Sequence, residues 1–438
     1  MPVKDIYKQR TYLDPIHGPI HLSLSDPVES LLIKIIDSKE FQRLRRVHQM
    51  GLGWFTFHGA EHSRFGHSLG TLFTARKMLE CLSKNFPEIN TFKPEFFAAA
   101  LLHDIGHGPF SHTSEKLIPV SHEELTKIII SSNSEVNFHL KKFRKNLPEK
   151  VTSLLSHKTK HKYLSQLVSS YIDCDRLDYL RRDSYYIGVP YGLTGSDRII
   201  SSLEIDKDTK RLVVLENLGL DAVIHYLHAR YSMYQQIYQH KKNIASDFML
   251  RKIISRIIKV TPLDIPPELK EWLSLRNKPV RKINLDFYSK VDDYSLLTYI
   301  HRLANKSFED KALKDLCEKF ISRRLFKSIE FRAGIKKERV QEILKRVKTL
   351  AKNKNLEADY YTGVEQSSSK PYEPYKSGDK TGKAIFIKQN NGVIKELSKV
   401  SGLVKALSQE NIVKTCLVFA PELEDEIFMI KGFKEIFK

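Results

Sequence analysis

Cysteine is scarce in this 438-residue chain: Cys81, Cys174, Cys317 and Cys416 lie far apart and form no CxxC pair. That excludes a disulfide framework and a thiolate zinc site as organising elements, and it predicts a reducing, cytoplasmic setting. Long apolar runs are also missing. None approaches the roughly 20 residues needed to span a membrane, and the first ten residues lack an apolar signal core. There is no dinucleotide-binding glycine fingerprint and no repeat of solenoid length. The segment GDKTGK (378–383) imitates a phosphate loop but is one residue short, and Ala384 stands where Ser or Thr is required. With 19 Gly and 17 Pro the chain is neither fibrous nor of low complexity; 41% hydrophobic and 28% charged residues describe a soluble globular protein.

Acidic charge is in deficit. Lys and Arg number 72 against 52 Asp and Glu, a formal charge of +20, which favours an anionic partner such as a nucleotide, a nucleic acid or an acidic lipid. The lysines are spread along the chain, so a solvated surface accounts for the same total.

The patterning is mainly helical. Leu31, Leu32, Ile35, Ile36, Phe41 and Leu44 share one helical face, and Leu69, Leu72, Phe73 and Leu79 mark a second helix beginning near His67. Ser121 with Glu124 reads as a capping box. Residues 199–217 predict a strand pair, and residues 220–258 one long helix or two. Helical pattern continues to about residue 352. Three parts are expected: residues 1–352, a loop or mobile linker over 353–382, and a small α/β unit over 383–438.

The chemistry concentrates in residues 97–112, where an apolar run delivers His103 and Asp104, followed by His107 and His112. A carboxylate buried beside imidazoles needs a neutralising charge, which points to a metal. His67 and Asp175, each on a predicted helix, complete a set of borderline ligands. Arg64 stands at a helix start suited to a phosphate, and His107, His112 and His122 can move protons near neutral pH. Asp175, Tyr179, Arg182 and Asp183 fall on one side of a helix, where Asp–Arg lacing is an equal explanation. A polar aromatic strip, Arg230, Tyr231, Tyr234, Gln235, Tyr238, Gln239, His240 and Lys241, fits either a subunit contact or a nucleotide pocket.

Together, RFGHS (64–68), HDIGHGPFSH (103–112) and DRLDYLRRD (175–183) resemble the H…HD…D signature of the HD-domain phosphohydrolases. DPIHG (14–18), FQRLR (41–45) and YQHK (238–241) extend the resemblance over residues 10–335, to the deoxynucleoside triphosphate triphosphohydrolase branch. The resemblance implies a mainly α, HD-domain helical bundle that hydrolyses a dNTP to the deoxynucleoside and inorganic triphosphate. It implies a divalent metal (Mn, Fe, Mg, Zn or Ni) on His67, His103, Asp104 and Asp175, and phosphates on Arg64, His107, Arg176 and Arg230. His112 would act at the scissile bond with Glu115 and His122. Gln49 and Asp183 would contact the 3′-hydroxyl, Tyr238 the sugar, and Met50, Tyr179 and Gln239 would complete the substrate site.

The same resemblance implies a homo-oligomer, dimer or tetramer, activated by GTP, dGTP or a dNTP through Asp37 and Arg45, with Phe57, Arg198, His240 and Lys241 as further allosteric positions. Residues 218–222 lack the Lys and Asn of the family's second activator pocket, and Glu115 and Arg176 replace the family's Asp and Lys. Two alternatives stay open: an HD phosphodiesterase or nucleotidase acting on another phosphate ester or single-stranded nucleic acid, and a non-catalytic nucleotide sensor.

Overall fold

The computed structural model describes residues 8–305, 310–375 and 383–438. Helix α1, Pro27–Asp37, starts where the Asp26 carboxylate accepts from the amides of Val28 and Glu29, with Pro27 supplying a preset φ. Its buried face carries Leu31, Leu32, Ile33, Ile35 and Ile36. The expected continuation to Leu44 is interrupted. Ser38 is extended and its hydroxyl donates to the Ile35 carbonyl, so a new turn, Lys39–Gln42, and a 3-10 turn, Arg43–Arg46, carry Phe41 and Leu44 into the core instead.

Three helices form the centre: α2, Arg64–Ser83; α3, Lys93–Leu102; and α4, Cys174–Ile187, with α2 packed on both of the others. In α3 every residue from Glu95 to Leu102 is buried, so its run of Phe, Ala and Leu ends with the next residues, His103 and Asp104, deep inside the molecule. Asp173 caps α4 by accepting from the Arg176 amide, and left-handed Gly188 ends it. Gly70 lets α4 approach α2: a Cβ there would lie 2.0 Å from Asp178 Oδ1. The predicted capping box at Ser121 and Glu124 opens the helix His122–Ser131.

The stretch over 220–258, expected as one long helix or two, is two helices, α5, Glu216–Met233, and α6, Lys241–Val260, joined by a π-turn over Tyr234–Tyr238. Strands β1, Gln9–Asp14, and β2, Gly18–Ser23, make a hairpin. β3, Leu203–Ile205, and β4, Leu212–Leu215, are the expected pair. They are extended by β7, Phe386–Lys388, parallel to β4, and by β8, Ile394–Glu396. A second sheet has the order β5–β9–β6, from Lys327–Glu330, Ile412–Phe419 and Thr362–Ser369, and is antiparallel throughout.

The fold is a helical bundle with a small α/β region, as the sequence predicts, but two boundaries differ. Within the expected linker, Thr362–Ser369 is a strand. Its small polar residues show no hydrophobic period, and pairing with β9 along its whole length makes it a strand. Residues 376–382 of that linker, and with them most of the GDKTGK segment, lie outside the described residues. Nor is the region after residue 383 set apart: its strands enter two sheets begun by upstream residues. All four cysteines are unpaired, and no helix among the described residues is long and apolar enough to cross a membrane.

Candidate active site

α2, the end of α3 and the first turn of α4 place His67, His103, Asp104 and Asp175 together. His67 Nε2 lies 3.2 Å from His103 Nε2, 3.1 Å from Asp175 Oδ1 and 3.7 Å from Asp104 Oδ2. His103 Nε2 is 3.4 Å from Asp104 Oδ1 and 3.6 Å from Asp175 Oδ1. Both imidazoles present the same nitrogen because the other is engaged: Nδ1 of His103 lies 2.9 Å from the Ala100 carbonyl, and Nδ1 of His67 lies 2.8 Å from Asp178 Oδ2. Carboxylate–imidazole pairs of this kind fix tautomer and ring direction at metal sites. Two imidazoles and two carboxylates converging in this way suit a divalent metal.

The electrostatics give the same answer. Burial works to lower the His67 pKa, but Asp175 and Asp178 outweigh it and raise it to about 10. The raised His67 pKa favours a proton on that imidazole, beside the Arg64 guanidinium that already meets Asp104. A metal ion has to displace that proton, so affinity is expected to rise with pH, roughly tenfold per unit below pH 10 for this one group. Metal titration at two pH values with proton release recorded checks this; a pH-independent affinity would contradict it.

Asp178 and His17 are site residues that the sequence reading did not single out. Asp178 is fully buried and also meets His17 Nε2 at 2.6 Å and Arg182 Nε at 2.8 Å, while Arg182 reaches Asp14 at 2.8 Å. The available signal was Asp178's spacing, three residues beyond Asp175 on the same helix.

Beside the metal cluster lies a cavity of about 440 Å³ whose lining includes Gln49, Met50, Arg64, Asp104, His107, His112, His122, Asp175, Arg176, Tyr179, Asp183 and Tyr238. Arg64 binds Asp104, and its Nε donates to Ser111 at 2.8 Å. Arg176 Nη1, His107 Nδ1 and Gln49 Oε1 are buried there without hydrogen-bond partners, which is the state expected of groups awaiting a polar ligand. Burial, Arg64 and His122 together hold the His107 pKa well below the ordinary imidazole value, so it stands as a neutral donor or acceptor.

His112 is carried by the one-turn helix His112–Glu115 after a strained turn, in which Phe110 and Ser111 both have φ of 52°. Asp293 clamps that turn, accepting from the Phe110 amide at 2.6 Å and from the His48 amide at 2.8 Å. Glu115 lies between two imidazoles, 3.0 Å from His112 Nδ1 and 2.7 Å from His122 Nδ1. Burial would raise the Glu115 carboxyl, but hydrogen bonds with His112 and His122 outweigh it and hold it well below the usual carboxylate range. His107 and His122 stack with centroids 3.9 Å apart. The side chain of His112 is 70% exposed, so its Nε2 is free while Nδ1 is held.

Also lining the cavity, Asp183 accepts from Tyr238 at 2.7 Å and meets His62 Nε2 at 2.7 Å. Two predicted substrate residues are not among those lining the cavity. Arg230 stacks over Tyr234 and donates to the carbonyls of Pro371 and Lys370, the second at 3.1 Å, and Gln239 is buried nearby in sequence. Of the allosteric positions, the structure brings Phe57 and His240 into contact. Asp37 pairs with Arg10 at 2.5 Å, Arg45 covers the Phe65 ring, Phe57 meets the His240 ring, and Arg198 and Lys241 are exposed.

A family model described as the HD domain matches residues 64–183, the span that holds all four metal-cluster residues. Uncharacterized protein YwfO of Bacillus subtilis is 36% identical over 416 residues, covering 93% of this chain and 91% of that protein. Human deoxynucleoside triphosphate triphosphohydrolase SAMHD1 is 29% identical over 273 residues, 54% of this chain and 43% of the human protein. The crystal structure of a phosphohydrolase from Bacteroides thetaiotaomicron superposes with a TM-score of 0.78 at 29% identity, covering 94% of this chain and 99% of that one.

Proposed function

Because the chain belongs to the HD-domain phosphohydrolase family, we propose that it is a metal-dependent dNTP triphosphohydrolase, releasing deoxynucleoside and inorganic triphosphate. The observation that carries this reading is one cavity lined by Asp104 and Asp175, by Arg176 and His107, whose Nη1 and Nδ1 atoms are buried without hydrogen-bond partners, by His112, and by the Tyr238–Asp183 pair. SAMHD1, named for this activity, supports it at a distance.

In this reading His67, His103, Asp104 and Asp175 hold the divalent ion, which supplies Lewis-acid charge at the phosphate. Arg64, Arg176 and His107 bind phosphate oxygens, the two guanidiniums neutralising charge and the neutral His107 hydrogen-bonding as the Pα–O5′ bond breaks. His112 donates the proton that the departing 5′ oxygen needs, and Glu115, bound at Nδ1, keeps Nε2 aimed. Gln49 and Asp183 receive the 3′-hydroxyl, with Tyr238 against the sugar face where a 2′-hydroxyl would stand. Asp37 and Arg45, both on the surface, are assigned to a guanine-nucleotide activator site completed by a partner subunit.

The test is incubation with Mn or Mg and each dNTP, with and without GTP and dGTP, resolving the products. Deoxynucleoside plus triphosphate is expected. Pyrophosphate plus dNMP, or no turnover with any dNTP, would overturn the assignment. The charge of +20 favours one second reading, a phosphodiesterase on single-stranded nucleic acid. Steep salt dependence of oligonucleotide cleavage would identify it.

A further inference from the structure

The π-turn between α5 and α6 bears two of the tyrosines that line the cavity, Tyr234 and Tyr238. Widening a helix to π geometry breaks the i→i−4 ladder and strands carbonyls that still require donors. Here the Gln239 amide reaches back five residues to the Tyr234 carbonyl at 3.1 Å, and the His240 amide turns to Ile237 at 3.1 Å. The Ile237 carbonyl is further satisfied by the Asn243 side chain at 3.0 Å. The carbonyls of Gln235 and Gln239 are met from outside the helix. Lys414 of β9 donates its ammonium to Gln235 O at 2.7 Å and to Gln239 O at 3.3 Å.

Lys414 is half-buried, with burial lowering its pKa. The sheet β5–β9–β6 therefore reaches the wall of the cavity through one cation. The turn it holds sets where Tyr238 stands: its hydroxyl donates to Asp183 at 2.7 Å, and its ring lies 5.1 Å from that of Tyr234 and 6.4 Å from that of Tyr179. A Tyr released from that depth no longer closes the space beside the sugar.

We propose that Lys414 is a positioning residue for sugar selection: by donating to carbonyls within and at the end of the π-turn it fixes Tyr238 against Asp183 and thereby sets the preference for deoxyribose over ribose. The inference rests on the dNTP reading of the cavity. It gives the C-terminal region a part in specificity without contact with substrate.

The experiment compares wild type with Lys414→Met, which keeps the apolar stem, and Lys414→Arg, which keeps a cation. The dCTP-to-CTP ratio of kcat/KM and amide hydrogen exchange over residues 234–240 are measured, with metal content as the control. Lys414→Met is expected to lower the ratio by about tenfold, the worth of one charge-assisted hydrogen bond, and to speed exchange in the turn. Metal content should be unchanged, and Lys414→Arg should recover most of the ratio. Unchanged exchange in Lys414→Met would remove the clamp. Faster exchange with an unchanged ratio would remove the specificity role. If the wild type turned over no dNTP, the functional reading and the specificity role would fail together, and faster exchange would then support the clamp alone.

Discussion

Asp178→Ala is expected to destabilise the protein by about 3–5 kcal/mol and to weaken metal binding by roughly 10–100-fold, although Asp178 is not one of the metal-cluster residues. The carboxylate is fully buried and meets His67, His17 and Arg182 at once. Burial would raise its pKa, but Arg182, His17 and His67 outweigh that and hold it well below the carboxylate range. Its contribution is therefore present above the ordinary carboxylate pKa and is lost only as pH falls through the depressed value. Deleting it leaves Arg182, 1% exposed, with Asp14 alone for charge, and removes the anchor that fixes the His67 ring. Gly70 sharpens the expectation, since α2 and α4 meet where Asp178 and Arg182 fill the space above it. Asp178→Asn keeps that volume and an acceptor for His67 but not the charge, so it should fall between wild type and alanine. Chemical denaturation read alongside metal titration measures both effects. A loss below about 1 kcal/mol with unchanged metal affinity would show that the pairs are solvent-screened and that His67 is held by other means.

This hub also shows where sequence reading stops. The convergence of His103 and Asp104 with other polar side chains was legible because the two end an apolar run, an arrangement with few structural uses. Asp178 was not, because Asp and Arg three or four residues apart on a helix are common as surface lacing, and only burial distinguishes a hub from a solvated pair. The break at Ser38 was hidden for a similar reason: Phe41 and Leu44 keep the helical period of α1 while belonging to separate turns. β6 carries no alternation at all, and its conformation is dictated by β9. Gly363 shows the fit, since a Cβ there would lie 2.4 Å from the Phe248 ring. The turn at Phe110 and Ser111 has positive φ without glycine. It depends on Asp293, 182 residues after Ser111, so no local signal could reveal it.

That turn is what places His112. His112→Ala is expected to lower kcat by roughly 10²–10⁴-fold while leaving metal content and folding intact, because His112 is mostly exposed and touches no residue of the metal cluster at bonding distance. Glu115→Gln should give a smaller loss. The amide still occupies the space between His112 and His122, but it no longer stabilises the imidazolium or imposes a tautomer, and the ring is free to turn. If the role of His112 is proton donation to the 5′ oxygen, a substrate whose leaving group needs no proton, such as an aryl ester at the α-phosphate, should recover most of the rate in His112→Ala. If instead His112 only binds phosphate, both substrates should lose activity equally, with the loss in KM rather than kcat. A fall in metal content would mean that the cluster of His112, Glu115 and His122 takes part in holding the ion. Measuring metal content, KM and leaving-group dependence on one variant therefore separates acid, phosphate ligand and metal ligand.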